Sequence, residues 1–96
     1  MTDIQRVQRF LDVPELLCQL AEECSELAKA ASKVRRTMTK KNPTTMTYGE
    51  AWDNLMEEVA DIMLVLECLG VNPNCQFASD IKKEKLTRWI GKLENR

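Results

Sequence analysis

Two long stretches of helical periodicity, each introduced by its own N-terminal cap, constrain this chain more than anything else in it. Asp12-Val13-Pro14-Glu15 and Thr47-Tyr48-Gly49-Glu50 both read as capping boxes, with an oxygen-bearing side chain followed three residues later by Glu. The first box predicts a helix to about Arg36, carrying Leu17, Leu20, Cys24, Leu27, Ala31 and Val34 on one face. From the second, a helix is predicted through Trp52, Leu55, Val59, Ile62 and Leu66 to Leu69, where Gly70 supplies the C′ residue. Between them Thr37 to Thr47, with Asn42-Pro43, reads as a loop. A short helix from Thr2 to Leu11 precedes the pair, and a basic helix from about Ser79 to Leu93 follows it.

The expected fold class is therefore all-α: a small bundle of four helices in a single domain, residues 1–96. With 3 Gly, 3 Pro and 5% aromatic residues, the punctuation of an all-β fold is missing. Five consecutive apolar residues, Ile62-Met63-Leu64-Val65-Leu66, make the second long helix apolar on every side at that level. Four short helices cannot cover such a segment alone, so a homo-oligomer, dimer or dimer of dimers, is expected to complete the bundle.

Composition narrows the function classes. A formal charge of −1 gives no overall attraction to nucleic acid or anionic membrane. No apolar run approaches the roughly 18 residues of a transmembrane span, and the charged, amphipathic start is unlike a signal peptide, so a cytoplasmic protein is expected. Cys18, Cys24, Cys68 and Cys75 form no CxxC pair and are read as reduced structural thiols. The absence of His removes Ser-His-Asp triads, HExxH proteases and the Glu-x-x-His di-iron bundle. Any catalysis must use carboxylates, amines, hydroxyls or a metal held by oxygen.

One octapeptide pattern occurs twice, once on each long helix. Leu20-Ala21-Glu22-Glu23-Cys24-Ser25-Glu26-Leu27 and Leu55-Met56-Glu57-Glu58-Val59-Ala60-Asp61-Ile62 share apolar, x, Glu, Glu, x, x, acid, apolar. Residues three apart are neighbours on a helix, so Glu23 projects with Glu26 and Glu58 with Asp61. A helical wheel places Glu23 and Glu58 at the edges of the apolar stripes, with Glu22 and Glu57 further round. If the helices pack antiparallel, four carboxylates gather at one groove. Two like charges about 5 Å apart repel by about 3 kcal/mol at an effective dielectric of roughly 20. A divalent cation removes that penalty, and an oxygen-only donor set favours Mg²⁺, Mn²⁺ or Ca²⁺. Either copy alone would read as a solvated acidic face; the twin placement points to metal.

Charge is segregated as well. No acid lies between Glu26 and Glu50, where Lys29, Lys33, Arg35, Arg36, Lys40 and Lys41 occur, and no base lies between Lys41 and Lys82. Acidic helices flanked by basic segments suit a metal–polyphosphate substrate, although solubility and complementation of a helix dipole account equally for part of the basic set.

Glu23-x-x-Glu26, a spacer and Glu58-x-x-Asp61 resemble the E-x-x-E…E-x-x-D signature of the MazG-like all-α nucleoside triphosphate pyrophosphohydrolases, in particular their short single-domain bacterial and phage members. Lys85-Leu86-Thr87-Arg88-Trp89 adds to the likeness, which spans roughly residues 12–93. The resemblance implies Mg²⁺-dependent cleavage of a nucleoside triphosphate between the α and β phosphates, to a monophosphate and pyrophosphate. It carries metal binding to Glu23, Glu26, Glu58 and Asp61, and water orientation or outer support to Glu22 and Glu57. Phosphate contacts fall to Lys33, Arg36, Lys82, Lys85 and Arg88. Trp52, Tyr48 and Trp89 could stack on a base, though the two tryptophans read more readily as core. The 31 residues from Leu27 to Glu57 exceed the usual spacer, because of the loop around 37–47. Two other readings remain open: a non-catalytic homo-oligomeric module that binds a nucleotide or a protein, and, less favoured by the near-neutral charge, nucleic-acid binding through the last helix.

Overall fold

A computed structural model describes all of residues 1–96 as four helices and no strands: α1 (Asp3–Phe10), α2 (Val13–Thr39), α3 (Tyr48–Cys68) and α4 (Gln76–Glu94). The fold class is all-α, as the sequence predicts. α2 and α3 pack along their length, and α1 packs on α3. Leu16 lines one cleft with Val65 and Cys68 at one end, and Arg36 lines another with Tyr48 at the other, so the two long helices run antiparallel.

Local chemistry sets the helix ends. Thr47 Oγ1 accepts from Glu50 N at 3.2 Å while Glu50 Oε1 accepts from Thr47 N at 3.0 Å, a complete capping box. Thr2 and Gln5 form a second complete box on α1. At α2 only half of the expected box forms: Asp12 Oδ1 accepts from Glu15 N at 3.1 Å, with Pro14 in the first turn, and Glu15 does not reach back. α3 ends as expected. Gly70 takes φ +74°, its N–H donates to Glu67 O, and Val71 N–H donates to Leu66 O, the paired bonds of a Schellman motif. α2 runs three residues beyond the expected end at Arg36 and stops at Lys40, in the left-handed region with φ 56°. α4 starts at Gln76, ahead of the expected Ser79, behind a Cys75 cap that makes no side-chain hydrogen bond.

The packing face of α2 differs from the stripe expected from its leucines. Of that stripe Val34 is buried and Leu20 and Leu27 half-buried, but Leu17, Cys24 and Ala31 lie exposed, while Leu16 and Ala30, outside it, are buried. The inward line on α2 falls at Leu16, Glu23 and Ala30, seven apart. On α3 it falls at Ala51, Glu58 and Val65, also seven apart. Seven residues are nearly two turns, so each set stacks along one line of its helix. Ala51 at 0% and Ala30 at 1% exposure are the most deeply buried residues of the two helices. The middle position of both lines is a glutamate.

α1 closes one end of this hairpin, where Gln8 Nε2 donates to the Cys68 carbonyl at 2.9 Å. α4 packs against none of the other helices, and all of its large apolar side chains are exposed, Trp89 at 64% and Phe77 at 77% among them. Trp52 is also exposed, at 38%, so neither tryptophan serves as core within the chain. The apolar run is split as its periodicity requires: Val65 is buried, Ile62 and Leu66 half-buried, and Met63 and Leu64 outward. All four cysteines are free, and only Cys68 is buried. No helix is long and apolar enough to cross a membrane.

Candidate metal centre

Because Glu23 and Glu58 occupy the inward lines of α2 and α3, the packing that buries Leu16, Val65, Ala30 and Ala51 also presses these two carboxylates together. Asp61, one turn after Glu58, joins them. One carboxylate oxygen from each of Glu23, Glu58 and Asp61 lies within 4.8 Å of the others. Glu23 and Glu58 are half-buried and Asp61 is exposed, so the group is walled by the hairpin on one side and open on the other.

The interior of the group is electrostatically uncompensated. Glu58 Oε2 is buried and has no hydrogen-bond partner. Burial first, then the charges of Asp61 and Glu23, a hydrogen bond with the Glu23 carboxyl and the charge of Glu26, push the Glu58 carboxyl above its ordinary value. Glu23 is better provided for: Gln19 Nε2, one turn earlier on α2, donates to its Oε1 at 2.9 Å. Gln19 lies outside the acidic repeat, and its i,i+4 spacing to Glu23 is the one signal of it in the sequence.

The structure thus gathers three of the four expected ligands. Glu26 stands at the margin, exposed and paired with Lys29 Nζ at 3.3 Å, though its charge still bears on Glu58. Glu22 and Glu57 are exposed and lie outside the group of three. Lys33 is half-buried and sits two helical turns beyond Glu26 on the same side of α2, roughly 10 Å along the axis. Arg36 is further away, on a basin of about 700 Å³ formed with Lys40, Thr44 and Tyr48 at the hairpin loop. Thirteen residues from Glu23 to Arg36 correspond to roughly 20 Å of helix. Lys82, Lys85 and Arg88 are exposed on α4 and so are not brought to the carboxylates within one chain. Trp52 stands edge-on to Tyr48, with ring centroids 6.2 Å apart and planes at 78°, at the loop end of α3.

Beside the carboxylates lies a cleft of about 240 Å³. Glu23, Asp61 and Gln19 supply its polar wall, and Val7, Leu11 and Leu64 are among the residues on its apolar side.

The donor set fits a hard divalent cation. It is made of carboxylate oxygens alone, and one of them is buried without a partner. Mg²⁺ is usually held by one or two carboxylates together with substrate phosphates and water, and an open-sided group of three leaves room for both. Neither a family model, nor a curated protein, nor a solved structure matches the chain.

Proposed function

We propose that the chain is a Mg²⁺-dependent nucleotide pyrophosphohydrolase of the MazG-like kind, cleaving a nucleoside triphosphate between its α and β phosphates. The observation that carries this reading is the buried, unpartnered Glu58 Oε2 inside a three-carboxylate group. A stability cost maintained at the centre of a helix–helix contact calls for a ligand that relieves it. Glu23, Glu58 and Asp61 would hold the cation, with Glu26 at the open side able to join by releasing Lys29. Bound there, the cation would supply charge neutralisation and polarisation of a phosphate oxygen. Gln19 fixes the Glu23 carboxylate, and Lys33 stands where a phosphate extending along α2 would meet it. Mn²⁺ would serve in the same donor set. The same reading has the chain work as a cytoplasmic homo-oligomer, dimer or dimer of dimers, in which a second copy brings the α4 bases into use.

The experiment is pyrophosphate release from a panel of canonical and modified NTPs and dNTPs, with Mg²⁺ and with EDTA. Metal-dependent release with the matching monophosphate as second product is expected, together with its loss in Glu58→Gln. Binding of nucleotide without release of pyrophosphate from any member of the panel would favour the non-catalytic binding module instead.

A further inference from the structure

The loop end of the α2–α3 hairpin is as basic as its middle is acidic. Arg35, Arg36, Lys40 and Lys41 fall within seven residues, and no acid occurs between Glu26 and Glu50. None of the four is paired: the ion pairs of the chain are Arg6 with Asp3, Lys29 with Glu26 and Arg88 with Glu84. Glu50, the next acid along the chain, is engaged with the Thr47 backbone N–H. Glu23 stands roughly 20 Å from Arg36 along α2, about twice the screening length at 0.1 M salt. The central carboxylates therefore do not neutralise the loop. Complementation of the α2 dipole accounts for Arg36, the base of the last turn, and does not require Arg35 or Lys41.

These bases line a space suited to a small ligand. Arg36 and Lys40, one turn apart, stand on the basin of about 700 Å³ with Thr44, Met46, Thr47 and Tyr48. A second hollow of about 300 Å³ shares Arg36 and adds Arg35 and Lys41. Small-molecule sites typically occupy about 300–1,000 Å³, with apolar and aromatic walls and a few placed polar groups. Two hydroxyls of the basin keep a proton to give. Thr44 Oγ1 accepts from Met46 N at 3.4 Å and Thr47 Oγ1 from Glu50 N at 3.2 Å, which leaves each O–H free to donate. The Thr37 hydroxyl, by contrast, is spent on the Val34 carbonyl at 2.6 Å. Tyr48, 54% exposed, adds an aromatic ring set edge-on to Trp52. Cationic and hydroxyl donors with no carboxylate on the wall select an anion. The ring beside them selects an anion joined to a flat aromatic body.

We infer that the hairpin loop carries a nucleotide site of its own, separate from the carboxylates. Arg36 and Lys40 take the phosphates, Thr44 and Thr47 donate to them, and the Tyr48 ring lies against the base. The site needs no metal, because its positive charges are side chains. A continuous strand of nucleic acid fits less well than a single nucleotide: running on from Tyr48 along α3 it would meet Glu50, Asp53 and Glu57. The inference goes beyond the reading above and does not depend on hydrolysis at the carboxylates.

Titration of the ¹⁵N-labelled full chain with ADP and with CDP, in EDTA and at low salt, tests it. EDTA keeps the carboxylates without a cation, so failure of this site and failure of the pyrophosphohydrolase reading register separately. Saturable amide shifts are expected to cluster on residues 35–48, and Glu58→Gln, which removes the proposed cation site, should bind as wild type does. Arg36→Gln should weaken binding by about tenfold, through loss of a charge-assisted contact. Lys40→Gly supplies the residue that a left-handed φ of 56° favours, so the end of α2 and the melting temperature should survive while binding falls. Absence of saturation at millimolar ADP and CDP overturns the site, and so do shifts centred on Glu23 and Glu58. Full affinity in both Arg36→Gln and Lys40→Gly also overturns it. Inorganic pyrophosphate that binds as tightly as ADP removes the base from the recognition, and the nucleotide with it. A single-stranded oligonucleotide that binds where ADP and CDP do not would give the basic loop to nucleic acid instead.

Discussion

Glu23 and Glu58 bring carboxylate oxygens within 4.8 Å of each other at the midpoint of the α2–α3 contact, where the positions seven residues before and after are Leu16, Ala30, Ala51 and Val65. A pair of acids thus occupies a rung of the helix interface that its neighbours fill with apolar side chains. The Glu58 carboxyl is held above its ordinary value by burial first and by the surrounding acids second. The folded chain therefore binds a proton at Glu58 more tightly than the unfolded chain does. The stability linked to that proton is fully present below the ordinary glutamate value and is lost as pH rises through the raised one. Without metal, thermal stability should fall across that window; with Mg²⁺ or Mn²⁺ the fall should be offset, and cation binding should release a proton. Calorimetry in buffers of different ionisation enthalpy reads the proton, and melting curves against pH read the stability. A melting temperature unmoved by millimolar Mg²⁺ or Mn²⁺ at pH 8 would count against the metal centre.

Glu58→Gln removes the charge while keeping the shape. Its metal-free melting temperature at pH 8 should exceed that of wild type, the stabilisation by Mg²⁺ should vanish, and helicity should be unchanged. A cation that still stabilises the variant as it does wild type would place the metal elsewhere.

The sequence makes the helices and their caps legible because those depend on neighbours a few residues apart. Thr47 with Glu50, and Gly70 after Leu69, do what their residue types require wherever the helices end up. Which face of α2 turns inward is a different kind of question. Leu17, Leu20, Cys24, Leu27, Ala31 and Val34 make a convincing stripe on paper; Val34 is indeed buried and Leu20 and Leu27 half-buried, yet Leu17, Cys24 and Ala31 stay exposed and Leu16 and Ala30 turn inward in their place. The deciding terms are the full burial of Ala30 and Ala51 and the demand of a second apolar face, neither of which a single-helix wheel contains. That rotation is also why the half-buried Glu23 and Glu58 lie on the same lines as the buried Leu16, Ala30, Ala51 and Val65. The acidic repeat revealed the partners; only packing showed that Glu26 stands apart with Lys29 and that Gln19 braces Glu23.

Gln19 touches no proposed reacting group and acts through the Glu23 carboxylate, to which it donates at 2.9 Å. Outer partners of this kind typically change metal affinity by 10–100-fold. Gln19→Ala should weaken Mn²⁺ binding by about tenfold, read by titration of the metal's electron paramagnetic resonance signal, while Gln19→Glu should restore none of it because it replaces a donor with another acceptor. Unchanged affinity in Gln19→Ala would make the hydrogen bond incidental.

The α3 capping box should be separable from the proposed cation site. Its hydrogen bonds from Thr47, backbone first and side chain second, hold the Glu50 carboxyl below its ordinary value. The linked stability is therefore present above the ordinary glutamate value and disappears as pH falls through the lowered one. Thr47→Ala should cost about 1 kcal/mol at neutral pH, measured by urea unfolding, and leave the Mg²⁺-dependent shift in melting temperature intact. Loss of that shift would couple the loop end of α3 to the carboxylates and contradict their separation along the helix.

The strongest test of why two glutamates sit in a helix contact is to replace them with what their neighbours imply. Leu16 and Val65 precede and follow them on the packing lines, so Glu23→Leu with Glu58→Leu would continue an apolar seam across the midpoint. Replacing buried ionic groups by apolar side chains of similar volume is commonly neutral or stabilising, because the desolvation cost of the charges disappears with them. The double variant should therefore melt several degrees above metal-free wild type at pH 8, where Glu58 is most heavily penalised. It should also bind no Mn²⁺ and release no pyrophosphate. A stability gain with loss of binding is the signature of residues retained for a ligand and not for the fold. If the double variant instead melts lower than wild type, the carboxylates contribute packing or hydrogen bonding that their geometry does not display, and the case for a cation as their reason weakens with it.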